Sequence, residues 1–259
     1  MKSQPNDFTT IYKYTRHNNC CKYNIVRHCE LWFAEINSLN DPMDLNLAYR
    51  QHYSADEIRQ YWENPALKNQ KHDLQSNLKR YGDSKSFVKH RKEQLNQGKA
   101  KIGVLCMSQC PKNILMWSHY ADAHKGIVYG FDENLFKSSN AKFISKNPLS
   151  MDYCSEYEPL SYAKVGDDSR EQIKKLLRLK AQDWDYEKEV RFIVVDKGGV
   201  AINFNPKCLK YIIFGEKTQK KEIEKVKSLC KENGKLNHII FKQAEFIEGR
   251  FELQIKPIK

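Results

Sequence analysis

Residues 116–126 read MWSHYADAHKG, setting Trp117, Ser118, His119, Tyr120, His124 and Lys125 close together, and the apolar alternation Ile127, Tyr129, Phe131 follows at once. Alternate residues of an extended chain share a face, so the second half reads as a buried strand. A core strand does not collect so many titratable and hydrogen-bonding groups, and the first half therefore reads as a ligand-facing turn feeding it. Such a chain carries sheet in its core and chemistry at a strand end.

Further strand signals lie at 11–14, 31–36, 102–106, 190–195, 211–214, 238–242 and 251–255, with helical patterns at 169–182 and 218–232. The turn formers of 37–42 end the second strand, and Gly198-Gly199 reads as a hairpin turn. Strands that do not alternate strictly with helices predict an α+β fold with a mixed or antiparallel sheet, not a doubly wound one. The 259 residues, 40% hydrophobic, are expected to form a single α+β domain over 1–259, with a helical, basic insertion at 55–100. No GxGxxG or Walker glycine loop appears in the sequence.

No run approaches the ~18 apolar residues of a membrane span, and MKSQPNDFTT lacks the apolar stretch of a secretory signal, so a cytoplasmic protein without membrane partners is expected. Eight cysteines without a regular framework fit free thiols in that compartment. Cys106 and Cys110 near His119 suggest zinc, but paired knuckles are missing, and no metal is expected. The 44 Lys and Arg against 32 Asp and Glu favour anionic partners. Between 67 and 101 stand Lys68, Lys71, Lys79, Arg80, Lys85, Lys89, Arg91, Lys92, Lys99 and Lys101, against Asp73, Asp83 and Glu93. This segment reads either as a solvated helical face or as a surface for phosphates and nucleic acid.

Four ordered segments carry a family resemblance. They are Tyr12, Tyr14 and Arg16; Leu31, Trp32 and Phe33 with Asn40, Asp41 and Pro42; the MWSHYA…HKG run; and Trp184, Tyr186, Glu187, Glu189 and Arg191. Together they resemble a family of bacterial proteins catalogued as a domain of unknown function, a name that implies no activity.

Glu187 and Glu189 precede an apolar strand at alternate positions and, if extended, project from one face. This arrangement is similar to the Glu-x-Glu strand start of ADP-ribosyltransferases. The resemblance implies that Glu189 is the catalytic carboxylate, stabilising an oxocarbenium-like transition state of NAD cleavage, with Glu187 and His119 assisting. It further implies that Tyr14, Arg16, Ser118, His119 and Tyr120 hold NAD, the guanidinium taking a phosphate. The Ser-Thr-Ser strand motif of that superfamily is absent, and Phe33-Ala34-Glu35 stands in its place. The implied protein is a toxin or anti-phage effector; the basic insertion favours RNA or DNA over protein as its acceptor, and an antitoxin protein is a candidate partner.

Plainer readings stand beside each of these. Glu187 and Glu189 with Lys188 and Arg191 read equally as a salt-bridged strand end, Arg16 as a partner of a surface carboxylate, and His119 and His124 as hydrogen bonders of a turn. Trp32, Trp117 and Trp184 read as core anchors. Two other functions fit the same residues. One is a metal-independent ribonuclease using His119 or His124 as acid or base, with Lys125 or Arg191 on the phosphorane; the other is a non-enzymatic nucleic-acid or nucleotide-binding regulatory module.

Overall fold

The computed structural model describes residues 10–16, 23–67, 73–143 and 145–258; Cys20, Cys21, Lys68 and Lys71 lie outside them. The chain divides into two compact units, one of 1–34, 103–151 and 183–259, the other of 35–102 and 152–182. The helical segment expected at 55–100 falls wholly within the second.

The first unit is α+β. In chain order it holds β1 (Thr10–Thr15), α1 (Asn24–His28), β2 (Glu30–Glu35, whose last residue passes into the second unit), β3 (Gly103–Ser108), α5 (Ile114–Tyr120), β4 (Ile127–Asp132) and β5 (Leu149–Ser150). β8 (Glu189–Val194), β9 (Val200–Asn203), β10 (Leu209–Phe214), α7 (Lys220–Asn233), β11 (Ile240–Phe246) and β12 (Leu253–Pro257) complete it. Its sheet runs β12-β11-β10-β4-β1-β3-β2-β9, with β8 joining β3 and β5 joining β8. Only the β10–β11 pairing in this sheet is parallel among those with a described register, and α7 supplies the crossover it requires. The sheet is thus mixed and largely antiparallel.

β4 lies between β1 and β10 and is covered on both faces. Ile127, Tyr129 and Phe131 pack with Ile25 and Val26 of α1 and Val226 and Leu229 of α7, whereas Val128 packs with Met116 and Trp117 of α5 on the other side. The alternation read from the sequence marks only one of two buried faces. Burying side chains this size is worth about 1.5–3 kcal/mol each, so this central strand fixes the sheet on which α5 rests.

The second unit contains α2 (Ala55–Glu63), α3 (Leu74–Tyr81), α4 (Ser84–Lys99), β6 (Asp152–Cys154), α6 (Gly166–Arg178) and β7 (Leu179–Ala181). α2 begins at a reciprocal capping box between Ser54 and Glu57. Asp73 and Asp83 cap α3 and α4 by accepting from the backbone amides of Gln75 and Ser86. Ile58, Tyr61, Trp62, Phe87, Val88 and Tyr162 form its core. The buried Lys180 and Asp44 face each other at 3.7 Å. Residues 179–181, expected at the end of a helix, instead form β7 and pair with β6.

Candidate functional site

The 116–126 run is not a single turn. Asn113 caps α5 by accepting from the amides of Leu115 (2.9 Å) and Met116 (3.1 Å), and residues through Tyr120 are helical. Trp117 is fully buried, donates Nε1–H to the Pro111 carbonyl at 2.7 Å and meets Tyr14 edge-on at 5.5 Å. This anchor holds one face of the helix against the sheet, turning His119 outward.

Beyond Ala121 the chain reverses through Asp122, Ala123 and His124, whose φ values of 49°, 49° and 69° are all left-handed. Each such non-glycine residue costs roughly 1–2 kcal/mol. Tight backbone packing holds them there. A Cβ on Gly126 would lie 2.1 Å from the Thr15 carbonyl, and one on Gly215 would lie 2.1 Å from that of His124. His124 is buried, nearly coplanar with Trp117 (11°), and its Nε2 lies 3.3 Å from the Ser118 hydroxyl. Ser118 donates its own proton to the Ile114 carbonyl, so its oxygen accepts from His124. Burial, and then Lys217, push the imidazole pKa down. His124 therefore closes the turn as a neutral packing residue.

The outward face of α5 meets the 3₁₀ segment Gln182–Glu187. Tyr120 donates its hydroxyl to Glu187 Oε1 at 2.6 Å, and His119 Nδ1 lies 3.1 Å from the Tyr186 hydroxyl. The Asn113 amide donates to the Tyr186 carbonyl (3.0 Å), while Ser108 donates to that of Glu187 (2.6 Å). Trp184 extends the aromatic surface, with its ring centroid 6.0 Å from that of Tyr186. Glu187 is buried, Tyr120 and Tyr186 are half-buried and His119 is exposed, so a carboxylate stands one hydroxyl behind a polar aromatic surface.

Glu187 and Glu189 do not share an extended face. Between them Lys188 takes a left-handed φ of 44° and pairs with Asp185 at 2.8 Å. Glu189, the first residue of β8, binds Arg191 through both oxygens: Nε to Oε1 at 2.7 Å and Nη2 to Oε2 at 3.0 Å. Both side chains are buried, at 3% and 0% exposure. Their β3 partners in register are Ser108 and Cys106. Burial and the neighbouring Glu189 carboxylate push the Cys106 thiol pKa up. Burial pushes Lys13 down, opposed by Cys106 and Glu189, and its ammonium donates to the Cys106 carbonyl at 3.0 Å. Glu189 thus belongs to an interior charge cluster.

The structure brings together His119, Tyr120 and Glu187 from the residues singled out in the sequence. Ser118 faces back to its own helix and to His124. Tyr14 is buried in the core and donates to the Cys110 carbonyl at 2.7 Å. Arg16 is exposed just past the end of β1, four residues beyond Tyr12, whose register partner Ser108 pairs in turn with Glu189. Four residues of strand span roughly 13 Å. Tyr186, Asn113 and Ser108 carry positioning roles that the sequence reading did not assign; the signal for Asn113 was a cap residue just ahead of a run with a buried tryptophan. Among the described residues no group of three or more His, Cys, Asp or Glu could hold a metal ion, and no helix is long and apolar enough to cross a membrane.

Residues 116–192 match the family model described as protein of unknown function (DUF2971), which bears out the family resemblance read from the sequence. The match covers α5, its closing turn, the 3₁₀ segment and the Glu189–Arg191 pair. No curated protein and no solved structure matches the chain.

Proposed function

We propose that this DUF2971-family chain is an enzyme of glycosyl transfer that cleaves NAD at the surface formed by His119, Tyr120, Tyr186 and Glu187, in the manner of ADP-ribosyltransferases. The observation that carries the reading is the 2.6 Å Tyr120–Glu187 hydrogen bond beside the His119–Tyr186 contact. Cleavage of the ribose C1′–nicotinamide bond leaves positive charge on the sugar. A carboxylate about 6 Å away at an effective dielectric of about 20 stabilises that charge by roughly 2.8 kcal/mol, about 10²-fold in rate. Glu187 supplies this field through Tyr120, whose hydroxyl is oriented by the carboxylate and faces the ribose. Tyr186 and Trp184 provide flat surfaces for the nicotinamide or adenine ring. His119 takes the proton of the attacking hydroxyl or amine as the new bond to C1′ forms; Tyr186 fixes its Nδ1, directing Nε2 to this task. In this reading Arg16, exposed just past the end of β1, meets a phosphate of the dinucleotide.

In this reading Glu189 is a positioning residue. Its ion pair with Arg191 sets the first residue of β8 and so the end of the turn that presents Glu187. Incubating the protein with NAD labelled separately in the nicotinamide and adenosine portions tests the proposal: release of nicotinamide with transfer of the adenosine label supports it. Cleavage of RNA in the absence of NAD would instead favour the positioned His119 as a ribonuclease acid or base.

A further inference from the structure

Two of the three acidic residues between 67 and 101 are spent on helix caps. Asp73 accepts from the Gln75 amide and the Ser76 hydroxyl, and Asp83 accepts from the Ser86 amide and hydroxyl. Those bonds hold both carboxyls below the usual carboxylate range. Glu93 is the one remaining acid between 67 and 101. Against it, Lys79, Arg80, Lys85, Lys89, Lys92 and Lys101 are exposed.

Their placement is ordered. Lys85, Lys89 and Lys92 stand at i, i+4 and i+7 of α4 and therefore form one stripe. At 1.5 Å per residue the stripe is about 10 Å long, the axial span of about three phosphates of one nucleic-acid strand at 3.4 Å each. Arg91 does not belong to it. Its Nε donates to the Tyr162 carbonyl at 3.1 Å, its guanidinium lies 4.9 Å from the Tyr61 ring centroid, and it also bonds Gln94. The apolar side of α4, Phe87 and Val88 with Leu95, is occupied by the core of its own unit. No free apolar face remains on this helix to enter a bilayer, so a membrane surface is the poorer match.

We infer that the exposed stripe of α4 docks nucleic acid through its phosphate backbone, without reading sequence. The inference deepens the proposed function by naming the macromolecule brought to the enzyme, yet its test needs no NAD chemistry. Fluorescence anisotropy with a labelled 20-base-pair DNA duplex of mixed sequence, across a salt series, measures binding directly. The wild type is expected to bind with log K falling linearly in log salt. The triple variant Lys85→Gln, Lys89→Gln, Lys92→Gln should lower the magnitude of the slope by roughly 2.7, about 0.9 for each contact, and so weaken binding about 500-fold at 0.1 M salt with its melting temperature unchanged. Arg91→Gln, by contrast, should lower the melting temperature and leave the slope as it was. An unchanged slope in the triple variant, no duplex binding by the wild type, or binding only to vesicles of phosphatidylcholine with phosphatidylserine would overturn the inference. A wild type that binds the duplex but does not cleave NAD would overturn the proposed function alone.

Discussion

Glu189→Gln separates a structural carboxylate from a catalytic one. The substitution keeps the shape of the side chain and removes its charge, taking from the buried Arg191, 0% exposed, the carboxylate that accepts from its Nε and Nη2. Removing one member of such a buried pair costs about 3–5 kcal/mol, chiefly because the remaining ion is uncompensated. At roughly 2–4 °C per kcal/mol for a unit of this size, the melting temperature should fall by about 12 °C. Replacing both members, Glu189→Leu with Arg191→Met, removes the stranded charge together with its partner and should recover most of that loss. Calorimetry and urea denaturation of Glu189→Leu, Arg191→Met and the double variant complete the thermodynamic cycle, with Glu189→Gln as the isosteric single. A Glu189→Gln protein as stable as the wild type would refute the argument, and one that also lost NAD cleavage would restore Glu189 to a catalytic role.

Tyr120→Phe removes the hydroxyl held by Glu187 and should cost about 2 kcal/mol of stability, as for a hydrogen bond to a charged group, while lowering kcat more than it raises KM. His124 gives a pH signature. Its folded pKa lies below the ordinary 6.5 because it is buried, so on acidification the unfolded chain takes up a proton that the folded chain refuses. Stability should therefore fall as pH drops through 6.5 and level off below the folded pKa; His124→Asn, which keeps a residue tolerant of the left-handed turn, should show a flatter profile in denaturation midpoints between pH 7.5 and 5.

The central strands were legible because burial writes itself into alternation: β4 and β8 stand within a residue of their expected positions. α5 was not legible. Its seven residues include Trp, Ser, His and Tyr, none a strong helix former, and the helix rests on the Asn113 cap and the burial of Trp117. The Glu-Lys-Glu spacing suggested a shared face because extended geometry was assumed; the left-handed Lys188 breaks that geometry and sends the two carboxylates to different partners. Arg91 and Lys92 look alike as charges in a sequence. Only the packing of Tyr61 and Tyr162 separates the inward guanidinium from the outward ammonium. What the sequence did mark was the joint use of the 116–126 run and Trp184–Arg191, whose His119, Tyr120 and Glu187 meet at one surface.

Nicotinamide release by Glu187→Gln, set beside the Glu189→Leu, Arg191→Met double variant, tests the account at its centre. The first protein keeps the buried ion pair and lacks the carboxylate behind Tyr120; the second keeps that carboxylate and lacks Glu189. Glu187→Gln is expected to lose about 10²–10³-fold in turnover, and the folded double variant to turn over within a few-fold of the wild type. Full activity in Glu187→Gln, with none in the double variant, would contradict the proposed role of Glu187.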